Sequence, residues 1–394
     1  FFFVGIGFNM IGTGFFKPNI SSMVGNLYKE GDNRIDAGFS LFYAGVNLGA
    51  LFGGYLCIAI AKRELLADFI PAHLAWNVAF GISSFFMMVS LLTFIRTQKS
   101  LSTIGLSPLA HLESGRRRIY EIATFALSLV LIPVVIIMVA KTEYTDIFMN
   151  IIGPASVVYL IYEMKNYGWK ENKKLIAALL FMFFSIFFWA FFEQSGGSLS
   201  LFAANNLNKN ILGVEFDPNG VNNSANSLFV ICFAALVGLA WVWMSHKKIE
   251  PNTIVKFGLG FLFLAGGFYT FYYTRFFTNE QGITSLGVFT LGWFIITFGE
   301  LCLSPIGMGV MTKLSPKKLQ AVIMGMWFLA SAYGQYFAGI LGANIANASE
   351  NSNNYEKLMV YTDGYKQLGL YSLIAGVLII AISPLMKKMM GGVK

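Results

Sequence analysis

The chain has 394 residues, of which 12% are charged and 56% are hydrophobic, and its formal net charge is +8. A soluble globular domain carries about 25% charged residues. Half that density, together with 39 Phe, 17 Tyr and 7 Trp, excludes a disordered chain, a nucleic-acid-binding domain and an ordinary cytosolic enzyme. The composition predicts a polytopic membrane protein.

Apolar stretches recur along the whole chain, and charged residues separate them. A helix needs about 20 mostly apolar residues to cross a bilayer. Eleven stretches are candidates, in chain order: 1–28, 37–61, 74–95, 122–140, 147–162, 175–208, 219–245, 257–274, 281–312, 319–349 and 367–386. Their lengths exclude the short alternating strands of a membrane β-barrel. We therefore expect an all-α membrane fold, with the Asn-rich segment 204–226 forming an exposed external loop.

Lysine and arginine are distributed unequally among the connecting loops. The loops after the first, third, fifth, seventh and ninth stretches, with the C-terminal tail, hold 20 of them, whereas the other five loops hold 7. Cytoplasmic loops of membrane proteins carry an excess of basic residues. This asymmetry places the C-terminus in the cytoplasm and the first residue outside, and it explains the net charge without an anionic partner.

The three cysteines, Cys57, Cys232 and Cys302, fall in separate apolar stretches, and the sequence has no CxxC pair and no Cys/His cluster. Disulfide scaffolds and zinc sites are therefore unsupported. We expect no metal site.

Three stretches carry an ionisable residue well inside an apolar run, namely Lys17, Glu193 and Glu300. Placing such a charge in a membrane costs at least about 2.5–3.5 kcal/mol on insertion scales, so these residues normally face a water-filled cavity or a partner charge. Structural ion pairing is one interpretation. Their recurrence in three stretches favours a transport or proton-relay role. By contrast, 122–140 and 147–162 contain no charge, which is typical of helices on the outside of a bundle.

Aromatic and polar residues recur every four positions beside these charges, and residues with that spacing share one helix face. The stripes are Phe39, Tyr43 and Asn47; Ser185, Trp189 and Glu193; Glu300, Ser304 and Met308; and Trp327 and Ser331. A single aromatic stripe is more typical of packing than of binding. Stripes that contain Glu, Asn or Lys favour the lining of a cavity.

Five segments resemble membrane helices of the proton-dependent oligopeptide transporter family, a branch of the major facilitator superfamily. They are similar to the family's helices four, five, seven, ten and eleven, respectively: GTGFFKPN at 12–19, FYAGVNLG at 42–49, FWAFFEQSGG at 188–197, GELCLSP at 299–305 and MWF at 326–328. The resemblance covers essentially the whole chain, and the first three motifs together are highly specific.

The resemblance implies an all-α major facilitator superfamily fold that lacks its first three helices and carries an extra two-helix hairpin between its halves. Residues 1–95 would form the rest of the N-terminal bundle (family helices four to six), 96–174 a cytoplasmic linker and the transmembrane hairpin, and 175–394 the six-helix C-terminal bundle. The family's first-helix motif, E-x-x-E-R-F-x-Y-Y, does not occur in this sequence. We therefore expect an N-terminally truncated chain that is inactive alone and a parent protein that transports.

The resemblance also implies a function, that of a symporter and not of an enzyme. The family imports di- and tripeptides by alternating access, with the proton as coupling ion and no cofactor. Lys17, Glu193 and Glu300 would take part in proton coupling, and Glu300 would also bind the amino end of the peptide. The other implied substrate contacts are Phe39, Tyr43, Asn47, Trp189, Asn226, Ser304, Met308 and Trp327. The implied partners are the peptide, protons and the lipid bilayer, with no nucleic acid, and we expect a monomer in the plasma membrane.

Two alternatives stay open at this point. One is a major facilitator transporter of another small solute, such as nitrate or an amino acid, although a carboxylate at Glu300 suits an amino group better than an anion. The other is an intramembrane enzyme or a channel. The sequence contains neither the G-x-S-x-G motif of a serine hydrolase nor a channel filter repeat.

Overall fold

The computed structural model describes residues 2–28, 35–63, 65–107, 109, 112–346 and 352–392. Helices dominate these residues. In chain order they are α1 (Phe2–Asn26), α2 (Ile35–Ala61), α3 (Ala75–Thr97), α4 (Ser114–Ala140), α5 (Thr142–Glu163), α6 (Trp169–Phe192), α7 (Ser198–Asn206), α8 (Pro218–His246), α9 (Thr253–Tyr273), α10 (Leu286–Leu301), α11 (Ser304–Leu314), α12 (Gln320–Ile345) and α13 (Asn354–Met389). A two-stranded antiparallel hairpin of β1 (Asn210–Ile211) and β2 (Val214–Glu215) lies between α7 and α8.

Among the described residues, each apolar stretch identified in the sequence contains a helix. Among the residues that the structure describes, eight helical stretches are long and apolar enough to cross a membrane. The other three predicted spans correspond to α1, α2 and α12, and α2 contains a shorter apolar helix, Leu41–Gly53. In α1 and α12, glycine, asparagine, glutamine and serine dilute the apolar residues. The multi-pass, all-α prediction is confirmed, whereas the count of eleven spans stays a prediction.

Side-chain caps define where four helices of the second part of the chain begin. In each case a side-chain oxygen of the preceding residue accepts a hydrogen bond from a backbone N–H of the first turn, which would otherwise lack a partner. The capping residues of α8, α9, α10 and α13 are Asp217, Asn252, Ser285 and Asn353, respectively. Asn353 and Glu356 form a complete capping box.

Helices α4 and α5 form a hairpin that turns at Lys141. Only 6% of the apolar window of α4 and 11% of that of α5 are buried, against 61% for each of the stretches containing α6, α9 and α10. The sequence predicted that the uncharged stretches 122–140 and 147–162 of these helices lie on the outside, and the structure agrees. Where α4 touches α1, Gly7 leaves room for the side chain of Ile132.

The core lies among α6–α13 and is rich in aromatic side chains. Glycines allow these helices to approach closely. A Cβ added to Gly299 of α10 would lie 2.6 Å from the carbonyl oxygen of Gly260 in α9, and one on Gly267 would meet Ile296 at 2.1 Å. Small residues at helix interfaces let backbones come this close. Because Gly299 precedes Glu300, this contact fixes the position of Glu300 against a rigid neighbour.

Glu193 and Glu300, the two acids inside apolar stretches, each lie where a long helical stretch is interrupted. Helix α6 ends at Phe192, and Glu193 begins a short 3₁₀ turn that leads into α7. Helix α10 ends at Leu301, directly after Glu300, and α11 starts at Ser304 with Pro305 in its first turn. Interrupted helices with free backbone groups often line the binding sites of transporters.

The prediction of an exposed external loop over 204–226 is wrong at both ends. Helix α7 continues to Asn206 and α8 begins at Pro218, so the connection is shorter than predicted. Asn206 is buried, and its Nδ2 donates to the carbonyl oxygens of Gly282 at 2.9 Å and Asn354 at 2.7 Å. Asn222 is also buried and donates to the carbonyl of Ser195 at 2.9 Å. These amides satisfy buried carbonyl groups rather than contacting solvent.

Candidate transport site

Glu300 lies at the centre of the candidate site, with only 3% of its surface exposed. Its Oε1 accepts a hydrogen bond from the hydroxyl of Tyr43 in α2, and its Oε2 accepts one from Nδ2 of Asn226 in α8 at 2.7 Å. The same Nδ2 lies 3.2 Å from Oγ1 of Thr297, one turn before Glu300. A buried carboxylate is costly unless donors replace its water. Helices from distant parts of the sequence supply these donors.

Glu193 is half-buried at the break between α6 and α7. Its Oε1 accepts a hydrogen bond from Nε2 of Gln335 in α12 at 3.2 Å. Glu193 also interacts electrostatically with Lys17 and with Glu300. Lys17 is exposed on α1, and it takes part in none of the ion pairs among the described residues. Glu193 thus lies within electrostatic range of the other two charges that the sequence singled out.

Two of the predicted substrate-contact residues, Asn47 and Ser304, lie near Tyr43. Nδ2 of Asn47 donates to the backbone carbonyl of Tyr43 at 3.0 Å, one turn earlier on the same helix. Ser304, the first residue of α11, is buried and its side chain lies close to the Tyr43 hydroxyl. The stripe on α2 and the stripe on α10–α11 thus meet at Tyr43 and Glu300.

Trp189 lies on α6, one turn before Glu193, and packs tightly against α12. A Cβ added to Gly334 would lie 2.3 Å from the Cβ of Trp189. The indole N–H of Trp189 is buried and has no hydrogen-bond partner within the described part of the chain. A buried donor without a partner costs about 1–3 kcal/mol, so a ligand that supplies an acceptor gains affinity there.

The remaining predicted contacts are packed in the hydrophobic core. Phe39 is completely buried against Gly25 of α1, and Trp327 packs its ring on Gly307. Met308 is also buried. These three side chains could reach a substrate only after neighbouring groups move away from them.

The sequence stripes omitted Gln335, which donates to Glu193, and Thr297, which contacts Asn226, the partner of Glu300. Gln335 continues the four-residue repeat of Trp327 and Ser331, so extending that stripe by one step would have found it. Thr297 lies three residues before Glu300 and therefore on nearly the same helix face. Both residues were detectable only as polar side chains on an already identified stripe.

The chemistry of this site is that of carboxylates and neutral donors. Within the described ranges, no group of three or more His, Cys, Asp or Glu side chains could hold a metal ion. A carboxylate held by neutral donors can exchange those donors for an ammonium group or accept a proton, because both compensate its charge. The site therefore suits recognition of an amino group and proton binding.

Membrane-length helices, helix breaks and charges in apolar surroundings define a multi-pass membrane transporter. Residues 1–358 match the family model PTR2, described as the POT family. The chain is 32% identical over 360 residues to the peptide transporter YePEPT of Yersinia enterocolitica, covering 87% of this chain and 68% of the relative. It is 28% identical to dipeptide and tripeptide permease A of Pectobacterium carotovorum, covering 98% and 73%. A crystal structure of a peptide transporter POT in complex with sulfate matches with a TM-score of 0.71 at 28% identity, covering 96% of this chain and 73% of that one.

The chain belongs to the POT family. It is accordingly a transporter rather than an enzyme, and its fold is of the major facilitator superfamily type. The resemblance seen in the motifs is confirmed. The boundaries 1–95, 96–174 and 175–394, the absent first three helices and the assignment of the hairpin as an extra element stay predictions.

Proposed function

We propose that this protein is a proton-coupled symporter that imports di- and tripeptides by alternating access. The observation that carries the proposal is the buried carboxylate of Glu300, which Tyr43 and Asn226 hold from two separate helices. The names of the relatives, a peptide transporter and a dipeptide and tripeptide permease, support the substrate class.

In this proposal, the amino end of the peptide binds Glu300. An ammonium group offers three donors, so it can take the place of the donors that now satisfy the carboxylate. The exposed ammonium of Lys17 provides the opposite charge for the peptide carboxylate, and the free indole N–H of Trp189 offers a donor to a peptide carbonyl. On the other side of the site, Asn47 donates to the backbone carbonyl of Tyr43, and the buried Ser304 hydroxyl has no hydrogen-bond partner among the described residues.

Proton coupling in this proposal uses the network of Lys17, Glu193 and Glu300. Because Glu193 interacts with both other charges, a proton bound to it changes the electrostatic environment of Lys17 and of the peptide-binding carboxylate. The two halves then rock around the central site, as is usual for transporters built from repeats. The excess of Lys and Arg in alternate loops supports a cytoplasmic C-terminus, and we propose the plasma membrane as the location.

Uptake of labelled dialanine tests this proposal. The full-length protein is reconstituted in liposomes, and uptake is measured with and without an inward proton gradient for the wild type, Glu300→Gln and the control Glu280→Gln, which changes an exposed loop residue. We expect gradient-driven uptake in the wild type and the control, and a loss of about tenfold or more in Glu300→Gln. A folded wild-type protein without dialanine uptake would overturn the peptide assignment in favour of another small solute.

A further inference from the structure

The hairpin of α4 and α5 is fastened to α12 by two tyrosines. The hydroxyl of Tyr333 accepts a hydrogen bond from the backbone N–H of Gly153 at 2.9 Å and donates one to the backbone carbonyl of Met149. One helical turn further along α12, the hydroxyl of Tyr336 donates to Oδ1 of Asp146 at 2.8 Å. Both tyrosines thus bind the first half of α5, and Tyr333 binds its backbone.

The sequence of α5 forms a specific socket for Tyr333. Met149 and Gly153 are four residues apart, so their carbonyl and N–H belong to the same turn of the helix. A Cβ on residue 153 would lie 2.2 Å from the Tyr333 oxygen, so only glycine leaves room for the hydroxyl. Pro154 follows and has no N–H, which weakens the backbone ladder at the same turn. A glycine–proline pair thus opens the helix where the hydroxyl enters.

These contacts matter because few side chains of the hairpin are buried, and its other main contact is that of α4 with α1. Most side chains of α4 and α5 are exposed. Where helices lie in lipid, apolar contact alone does not drive their association, and hydrogen bonds between them add to it. Three such bonds at one contact give the hairpin a defined position on α12.

The same part of α12 also contacts two residues of the candidate site from a different side of the helix. Gly334 packs against Trp189, and Gln335 donates to Glu193. Successive residues of a helix point about 100° apart, so Tyr333 and Tyr336 share one side while Gly334 and Gln335 face elsewhere. Residues 333–336 therefore contact the hairpin on one side, and Trp189 and Glu193 on the other.

We propose that the hairpin supports α12 and, through Tyr333 and Tyr336, keeps Gln335 in contact with Glu193. The tyrosines are positioning residues, since their hydroxyls bind α5 rather than Glu193 or Glu300. This role rests on the proposed part of Glu193 in proton coupling. The charged groups that act on Glu193 are Lys17 of α1 and Glu300 of α10. Gln335 adds a neutral hydrogen-bond donor to this carboxylate.

Hydrogen exchange tests the attachment without requiring transport. Tyr333→Phe removes the hydroxyl, and Gly153→Ala places a methyl group in its path. Tyr159→Phe and Gly115→Ala are matched controls on the same hairpin, because Tyr159 is exposed and a Cβ at Gly115 meets nothing within 4 Å. We expect the peptide that contains residues 149–154 to exchange about three- to tenfold faster in both test variants and not in the controls. Unchanged exchange in Tyr333→Phe would overturn the attachment, even if peptide transport is confirmed.

The pH profile of dialanine uptake tests the link to Glu193. Tyr333→Phe/Tyr336→Phe is compared with Gln335→Leu and with the triple variant. We expect the tyrosine variant to shift the profile in the same direction as Gln335→Leu, and the triple variant to shift it no further, because both changes remove the same contact. Additive shifts, or an unshifted profile in the tyrosine variant, would overturn the positioning role. A wild type with no dialanine uptake would instead reject the proposed function and leave the exchange result to decide the attachment.

Discussion

Tyr43 and Glu300 are 257 positions apart in the sequence, yet the hydroxyl of Tyr43 donates a hydrogen bond to Oε1 of Glu300. This contact joins α2 to the end of α10, beside the break that leads into α11. A substrate that binds Glu300 must therefore compete with a side chain from another part of the fold. Binding and the relative position of the two helices are linked through one carboxylate.

Tyr43→Phe removes this donor and keeps the ring. A hydrogen bond to a charged group is worth about 1.5–3 kcal/mol. We expect the KM for dialanine to fall about tenfold or more, because the ammonium no longer has to displace this donor from Glu300, with normal expression and thermal stability. Uptake kinetics in proteoliposomes measure the effect, and Tyr273→Phe, a change at an exposed tyrosine, is the control. An unchanged KM would show that the Tyr43 hydroxyl has no part in binding.

Asn226→Ala removes the second donor to Glu300, and Asn223→Ala is its matched control. Nδ2 of Asn226 lies 2.7 Å from Oε2 of Glu300, whereas exposed Asn223 donates to the backbone carbonyl of Asn219. We expect dialanine affinity, measured by calorimetry on the purified protein, to rise about tenfold in Asn226→Ala, because the ammonium no longer displaces this donor, and to stay unchanged in Asn223→Ala. Equal effects of the two variants would contradict the assignment of Asn226 to the site.

Much of this site was predictable from local spacing. Repeats of four residues identified Tyr43, Trp189 and Glu300, and the cost of a charge in an apolar stretch identified Lys17 and Glu193. The sequence did not show which donor meets which acid. Tyr43 reaches Glu300 from 257 positions away, and Gln335 reaches Glu193 from 142 positions away. Such contacts depend on how the helices pack, which local spacing does not contain.

The helix breaks were only half predictable. Pro305 marked the break after Glu300, since a proline lacks the N–H that would continue the helix. No proline lies near the break at Glu193. The only helix-breaking residues close to it are Gly196 and Gly197. The prediction of an exposed loop over the Asn-rich segment 204–226 failed because local composition does not show which side chains become buried. Asparagine is usual in exposed loops, but the side chain of Asn206 is buried because two backbone carbonyls need its amide.

Gly334→Ala tests the close contact between α12 and α6. The added Cβ would lie 2.3 Å from the Cβ of Trp189 and 3.0 Å from the carbonyl oxygen of Ile186, so the helices must separate. Overpacking of this kind costs about 1–3 kcal/mol. We expect the Tm in detergent to fall by several degrees in Gly334→Ala and to stay unchanged in Gly339→Ala, where a Cβ meets nothing within 4 Å. A normal Tm for Gly334→Ala would contradict the packing described for these helices.

Lys17→Ala tests whether proton coupling can be lost while dialanine still crosses the membrane. Lys17 interacts electrostatically with Glu193, and its loss removes the positive charge from the network. We expect dialanine accumulation driven by a proton gradient to be lost, while exchange of dialanine between equal concentrations on both sides continues. Lys141→Ala, a change at the exposed hairpin turn, is the control. Normal gradient-driven accumulation in Lys17→Ala would remove Lys17 from the coupling mechanism.

The most direct test of proton-coupled peptide transport follows protons rather than peptide. Liposomes that contain the full-length protein and a pH-sensitive dye are mixed with dialanine, without a preset proton gradient and with the membrane potential negative inside. The account predicts acidification of the lumen in the wild type and its loss in Glu193→Gln. Dialanine uptake by the wild type without any acidification would contradict the account.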